Sequence, residues 1–561
     1  MEKRWTLKPS NSLVVQHLQE VLHIHPVICR LLAQRGISTF DEAKQFFRSS
    51  EEHIHDPFLM KDMSAAISRI HQAIQNEEKI LIYGDYDVDG TTAVALVYQF
   101  FKKLTKHIAF YIPHRFGEGY GVSQKGIDFA IEENFGLIIT LDCGIKSAKL
   151  IGLAKEHGID TIICDHHIPD DSLPEAHAIL NPKQADCTYP FKELCGCGIG
   201  YKLICAYASE YGIETTYTTE LLDLLATAIA ADIVPMNGEN RTLCVLGLKK
   251  ANENPSIPLK ALRKIAVLEK PFTINDLVSV IAPRVNAAGR MDDARKAVEL
   301  FLEEDEEKAK EIATILQEDN NDRKDIDRSI TEEALKLAEE HTEAHATVLY
   351  QPHWHKGVVG IVASRLIDHH YRPTIVLTAS NGKLTGSARS VKGFNLYDGL
   401  SACSEYLENY GGHYFAAGLT LAEDNLLSFT QQFNDVVRDT LPEEMRLPEI
   451  EIDADLQFNE ITDAFLHILH QFSPHGPDNM KPVFRSTGVM NYQHYSKILK
   501  EKHIRFVMYQ AGSKTMNGIG FNLAHKFNLV EEGSEFEILY HIEENEWQGK
   551  TNIQLKILDL R

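Results

Sequence analysis

A chain of 561 residues with 44% hydrophobic content is long enough for three or four domains with well-formed cores. Its formal net charge of −23 excludes a uniformly basic nucleic-acid binder, so any such binding must rest on a local field. Residues 1–10 lack a signal-peptide core, no apolar run approaches the roughly 20 residues that span a bilayer, and the nine cysteines follow no secreted disulfide pattern. The expectation is a cytoplasmic enzyme with no membrane contact.

Residues 1–60 read as a helical N-terminal extension and residues 61–234 as an α/β lobe. Ile80 to Gly84 is an apolar run that opens into Asp85, Asp87 and Asp89, with a helix expected from Thr91 to Phe101. In an open α/β sheet such a loop lies at the carboxyl end of the strand, where ligands bind. Three crowded carboxylates repel one another, and divalent cations are the simplest counter-charge. Two further apolar runs end the same way. Gly136 to Leu141 runs into Asp142-Cys143-Gly144, and Ile159 to Cys164 runs into Asp165-His166-His167. A fourth carboxylate, Asp232, closes the helix-like stretch Leu221 to Ala231. Carboxylates with imidazole and no thiolate suit Mn²⁺, Mg²⁺ or Fe²⁺ better than structural zinc. The oxygen ligands suffice for two metals that share one carboxylate, the arrangement that activates water against phosphorus.

Each signal alone has an ordinary explanation: Asp-x-Asp is usually a turn or a helix cap, and paired histidines are usually surface or core residues. Their arrival in order, each after a buried-strand pattern, is what points to a site. Cys187, Cys195, Cys197 and Cys205 are spaced poorly for zinc. Leu194 to Leu203, with glycines 196, 198 and 200, reads instead as a tight helix start packed on the first lobe.

Residues 235–340 read as a helical connector. It contains a loop, Pro283-Arg284-Val285-Asn286-Ala287-Ala288-Gly289-Arg290, and an acidic stretch from Glu303 to His341 expected as one or two solvated helices. Residues 345–441 form a second α/β lobe, with strands at Ala346–Tyr350 and Thr374–Thr378. Residues 448–561 read as a further domain, which from Phe484 on alternates in the strand period. Between Lys481 and Asn528 they carry Lys481, Arg485, Lys497, Lys500, Lys502, Arg505, Lys514 and Lys526, interleaved with Phe484, Tyr492, Tyr495, Phe506, Tyr509 and Phe521. That composition suits a β-barrel of OB type that stacks bases and tracks phosphates, and equally a small β domain whose aromatics are core.

Asp-x-Asp-x-Asp-Gly, then Asp142-Cys-Gly, Asp165-His166-His167 and Asp232, resembles the DHH phosphoesterase superfamily. Pro283 to Arg290, Gly386-Ser387-Ala388-Arg389-Ser390 and Gly411-Gly412-His413-Tyr414-Phe415-Ala416-Ala417-Gly418 narrow the resemblance to its RecJ exonucleases, from about Trp5 to the C-terminus. The resemblance implies two α/β lobes (DHH and DHHA1) on a helical connector plus an OB domain. The implied activity is a metal-dependent exonuclease that degrades single-stranded DNA 5′→3′ to mononucleotides in recombination and repair. Two Mn²⁺ or Mg²⁺ ions are implied, one on Asp85, Asp87 and Asp142 and the other on Asp89, Asp142, His166 and Asp232. Tyr83 stands where the superfamily often has a histidine, which leaves the first ligand set open. His167 would contact the scissile phosphate.

Ser387 and Arg389 would grip a 5′ phosphate, with Arg115, Arg284, Arg290, Gly412 and His413 as further substrate contacts. The implied partners of a monomer are single-stranded DNA, single-strand-binding protein and a RecQ-type helicase. Two other readings stand beside this one: a short-oligonucleotide or cyclic-dinucleotide phosphodiesterase of the same superfamily, and a scaffold without activity. The intact ligand set argues against the scaffold.

Overall fold

In the computed structural model, which describes residues 2–340, 344–531, 533–547 and 550–561, Ile80–Gly84 is buried at every residue. It pairs in parallel with Ile108–Tyr111 on one side and Leu137–Leu141 on the other. Asp160–Cys164 and Ala178–Leu180 extend the sheet, all in parallel. Burial on both faces explains why these strands read as continuous apolar runs. Strand order across the sheet reverses beside Ile80–Gly84, so Asp85 and Asp142 emerge at the switch point that open α/β sheets use for ligands.

The following helix begins earlier than the sequence suggested. It spans Val88–Lys102, because Asp87 caps it by accepting a hydrogen bond from the Gly90 amide at 3.0 Å. Asp89 therefore lies in the first helical turn, where the helix dipole favours an anion.

Pro283 to Arg290 is not the expected loop. Ala282–Met291 is helical and continues directly from a π-helical stretch, Leu277–Ile281, so the proline follows the wider π turns of an unbroken helix. Gly289 lets this helix approach the aspartate motif: a Cβ there would lie 2.8 Å from the Tyr86 carbonyl oxygen. The acidic stretch is a single helix, Glu306–Glu339, and it is not solvated all round. Ala309, Ala313, Leu316, Ile330, Ala334 and Ala338 repeat at helical spacing along its buried face. His341 lies outside the described residues.

The second lobe is a mixed sheet in the order Asn409–Gly412, Ala416–Leu421, Lys383–Arg389, Thr374–Ser380, Thr347–Tyr350. Its antiparallel register sets Arg389 opposite Ala416, Ser387 opposite Gly418, and Gly412 opposite Ala417. Two motifs far apart in sequence thus become one surface.

These elements belong to a unit of residues 55–234 and 243–448. A second unit gathers residues 4–54, 235–242 and 449–561. The N-terminal segment begins with a strand, Arg4–Leu7, which pairs in parallel with Glu449–Ile452. Leu18, Ile28, Leu31 and Leu32 of its helices share a core with Phe458, Phe465, Phe484, Ile538 and Tyr540. Arg241 ties the unit together by donating to the carbonyls of Phe46, Gln471, Phe472, Ser473 and Pro474. The C-terminal strands form one curled sheet in which Phe484–Asn491 meets His503–Tyr509 at two residue pairs.

Candidate active site

The ends of three parallel strands and one helix bring Asp85, Asp87, Asp89, Asp142, His166 and Asp232 together. Ligand atoms of Asp85, Asp87 and Asp142 lie within 4.8 Å of one another, as do those of Asp89, His166 and Asp232. His166 Nε2 is 3.2 Å from Asp142 Oδ1 and 3.6 Å from Asp232 Oδ2, which links the two groups. Asp142 adopts a left-handed φ of 59°, a conformation aspartate tolerates, and this turns its carboxylate into the cluster.

Burial and then mutual repulsion push Asp85, Asp142 and Asp232 well above the usual carboxylate range, and Asp89 up to about 7. Burial pushes His166 down to about 3, leaving a neutral imidazole. Asp85 Oδ2, Asp142 Oδ1 and Asp232 Oδ2 are buried with no hydrogen-bond partner. Orphaned buried carboxylate oxygens facing a neutral imidazole are a donor set that fits a hard divalent cation.

Tyr83 does not face this cluster. Its hydroxyl accepts from the Ser123 amide at 3.0 Å and donates to the Gly121 carbonyl. His167 is turned differently from His166: its Nδ1 is 2.7 Å from Asp165 Oδ1 and its Nε2 is 3.0 Å from the Tyr120 hydroxyl. Burial opposes protonation of His167, but the hydrogen bond and charge of Asp165, with the charges of Asp89 and Asp87, together outweigh it and the net shift is upward. Tyr120 also donates to the Asp142 carbonyl at 3.1 Å. Sequence reasoning passed over Tyr120 and Asp165. The signal available was the Gly119-Tyr120-Gly121 run, whose two glycines both take positive φ.

A cavity of about 560 Å³ adjoins the cluster, walled by Tyr86, Arg115, Lys356, Ser387, Arg389 and Gly412 among others. Arg389 Nη1 donates to Ser387 Oγ at 2.8 Å, and the Arg115 guanidinium lies 4.8 Å from the centre of the Tyr86 ring. Arg290 is not among the wall residues; it donates to the Gly357 carbonyl, next to the wall residue Lys356. Burial, then Arg115, Arg323 and Arg389, pushes it down to about 10. Guanidiniums that destabilise one another call for an anion.

Arg284 is not brought to this wall; it donates to the Val280 carbonyl and to Gln317. His413 is also off it, within electrostatic reach of His167 and Lys183. Lys356 and Tyr86 are wall residues that the sequence reading missed.

In the C-terminal sheet Lys481, Arg485 and Lys526 are held by Glu543, Asp455 and Asp559. Phe484 and Phe506 are core, so only part of the expected cationic and aromatic surface is available. Lys497, Lys500, Lys502, Arg505 and Lys514 are exposed, with Tyr495 and Phe521 more than half exposed among them. No helix among the described residues is long and apolar enough to cross a membrane.

The DHH family N-terminal domain matches residues 79–229, the DHHA1 domain residues 343–439, and the RecJ OB domain residues 452–559. The single-stranded-DNA-specific exonuclease RecJ of Bacillus subtilis (strain 168) is 38% identical over 562 residues, covering 99% of this chain and 70% of that protein. Among solved structures, RecJ from Thermus thermophilus in complex with Mn²⁺ superposes with a TM-score of 0.84 at 24% identity, over 100% of this chain and 79% of that one. The same protein in complex with Mg²⁺ gives 0.78. A structure of exonuclease RecJ bound to manganese is 30% identical, with a TM-score of 0.60 over 68% of this chain and 95% of that one. With all three domains matched in order and a relative aligned along nearly the whole sequence, this chain belongs to the RecJ family of single-stranded-DNA-specific exonucleases.

Proposed function

We propose that the protein hydrolyses single-stranded DNA from its 5′ end to mononucleotides, with the phosphodiester cut at the aspartate–histidine cluster and the 5′ phosphate held in the adjoining cationic cavity. The observation that carries this reading is the position of Tyr86. It stands between Asp85 and Asp87 in sequence and forms part of the cavity wall, so the anion pocket lies beside the hydrolytic centre.

Asp85, Asp87 and Asp142 would hold one Mn²⁺ or Mg²⁺, and Asp89, Asp142, His166 and Asp232 the other. When bound, such ions acidify a water nucleophile and offset charge gathering on the phosphoryl oxygens. Asp142 couples the two groups. Asp165 fixes His167 by accepting from Nδ1, which leaves Nε2 beside the Tyr120 hydroxyl as a proton donor to the leaving oxygen. Arg389, aligned by Ser387, and Arg115, stacked on Tyr86, present planar forks to a terminal phosphate. Arg290, within electrostatic reach of Arg115 and Arg389, adds positive field. His413 approaches the strand on the hydrolytic side.

Lys497, Lys500, Lys502 and Arg505, with Tyr495 and Phe521, form the surface of the second unit best suited to bind single-stranded DNA. A RecJ OB domain at 452–559 favours a long-strand exonuclease over a dinucleotide phosphodiesterase. Cytoplasmic repair and recombination, with single-strand-binding protein and a RecQ-type helicase supplying substrate to a monomer, is the setting this activity fits.

The test uses a 3′-labelled oligonucleotide with Mn²⁺, presented as a 5′-phosphorylated strand, a 5′-hydroxyl strand and a blunt duplex. Stepwise loss from the 5′ end of the phosphorylated single strand, with mononucleotide product, supports the proposal. Internal cuts or shortening from the 3′ end would overturn it.

A further inference from the structure

The Cys195-Gly196-Cys197-Gly198 segment has no part in the chemistry described so far, yet it touches that chemistry at two ligands. The helix Gly196–Glu210 starts here, with Cys195 as its cap: the Cys195 Sγ accepts from the Gly198 amide at 3.3 Å. The next two amides are spent on Asp89. Gly196 N–H donates to Asp89 Oδ2 at 2.6 Å and Cys197 N–H donates to Oδ1 at 2.9 Å. Both carboxylate oxygens are thereby fixed, one donor each, at a residue only 1% exposed.

The opposite face of this turn abuts the second ligand. A Cβ added at Gly196 would lie 2.5 Å from Asp142 Cβ, 2.7 Å from its Cα and 2.8 Å from its Oδ1. No side chain fits there unless Asp142 moves, and Asp142 belongs to the cluster's shared edge.

We propose that the Cys195–Gly196–Cys197 turn is a positioning element of the metal centre, which clamps Asp89 with two main-chain amides and keeps Asp142 in place through the absent side chain of Gly196. This rests on the reading of Asp89 and Asp142 as metal ligands. Hydrogen-bond partners that orient ligands typically change metal affinity by about 10- to 100-fold when lost. The cysteines act differently from each other. Cys195 contributes its thiol to the helix cap. Cys197 contributes a main-chain N–H that any residue but proline supplies. Neither is a metal ligand in this account.

The experiment is a Mn²⁺ titration of the full chain followed by the electron paramagnetic resonance signal of free Mn²⁺, with circular dichroism as the folding control. Gly196→Ala should weaken binding by about 10- to 100-fold. Cys195→Ala should weaken it by about tenfold, the low end of such effects, and Cys195→Ser, which restores a cap, should recover it. Cys197→Ala should bind as wild type. Should Gly196→Ala fail to fold, the comparison of Cys195→Ala with Cys195→Ser carries the decision: equal, wild-type affinity in both overturns the proposal. Loss of binding in Cys197→Ala would overturn it too, in favour of thiolate ligation. Asp89→Ala separates the two levels. If it binds Mn²⁺ as wild type, the metal-centre reading fails. If it alone loses binding while Gly196→Ala and Cys195→Ala do not, only the positioning proposal fails.

Discussion

His166 Nε2 lies 3.2 Å from Asp142 Oδ1, and the imidazole is held neutral by burial, pushed down to about 3. A neutral ring carries a single proton and cannot offset the carboxylates of Asp142 and Asp232 that flank it. The cluster is therefore assembled at a cost in self-repulsion that a cation removes.

That cost has a pH dependence. The folded-state pKa of Asp85, Asp89, Asp142 and Asp232 is raised above the unfolded value, for Asp89 to about 7. Without metal, their contribution to stability is fully present below the unfolded carboxylate pKa and is lost as pH rises through the folded values. Bound cations favour the ionised form and cancel that loss. The rise in Tm on adding Mn²⁺ to chelator-treated protein should be larger at pH 8 than at pH 6. At metal 100-fold above Kd the stabilisation is about 2.7 kcal/mol. Differential scanning fluorimetry at the two pH values reads it; a rise independent of pH would contradict the assignment.

His167 and His166 should separate cleanly. Replacing His167 by glutamine removes the proton donor at Nε2 and should lower kcat by about 10²- to 10⁴-fold. Mn²⁺ affinity should stay within a few-fold of wild type. Replacing His166 should weaken Mn²⁺ binding itself. A His167 variant that loses Mn²⁺ would make that residue a ligand instead.

Arg389→Ala should remove the preference for 5′-phosphorylated over 5′-hydroxyl strands. Losing one side of a desolvated charge-assisted contact costs about 2 kcal/mol or more, roughly 30-fold in KM for the phosphorylated strand. Arg389→Lys should recover only part, because a point charge cannot form the fork. An unchanged ratio of the two substrates would place the phosphate elsewhere.

Salt dependence tests the C-terminal surface. Replacing Lys497, Lys500 and Lys502 by alanine should lower the slope of log Kd against log salt by about 2, at roughly 0.7 per phosphate contact on a single strand. Fluorescence anisotropy with a long labelled strand measures this. Hydrolysis of a very short strand should change little.

The parallel-sheet lobe was legible in the sequence because its strands are buried on both faces. Each apolar run ended where a strand ends, and the acid that followed marked the site. Helix boundaries were less legible. Asp87 acts as a cap and starts the helix three residues before the expected Thr91, and Pro283 to Arg290 looks irregular in composition although it continues a helix from the π turns of Leu277–Ile281. Lys356 carries no periodic or motif signal of its own; it matters because tertiary packing brings it to the site. The basic run in the C-terminal sheet promised more free charge than exists, because the partners Asp455, Glu543 and Asp559 lie outside that run.

The central claim is that one carboxylate, Asp142, serves both halves of the cluster. Its most direct test is Mn²⁺-dependent release of nucleotides from a 5′-phosphorylated single strand by Asp142→Ala, with circular dichroism matching wild type. Turnover should fall by about 10³-fold or more, as loss of a group that acts as a unit with others requires. Turnover within tenfold of wild type would contradict it.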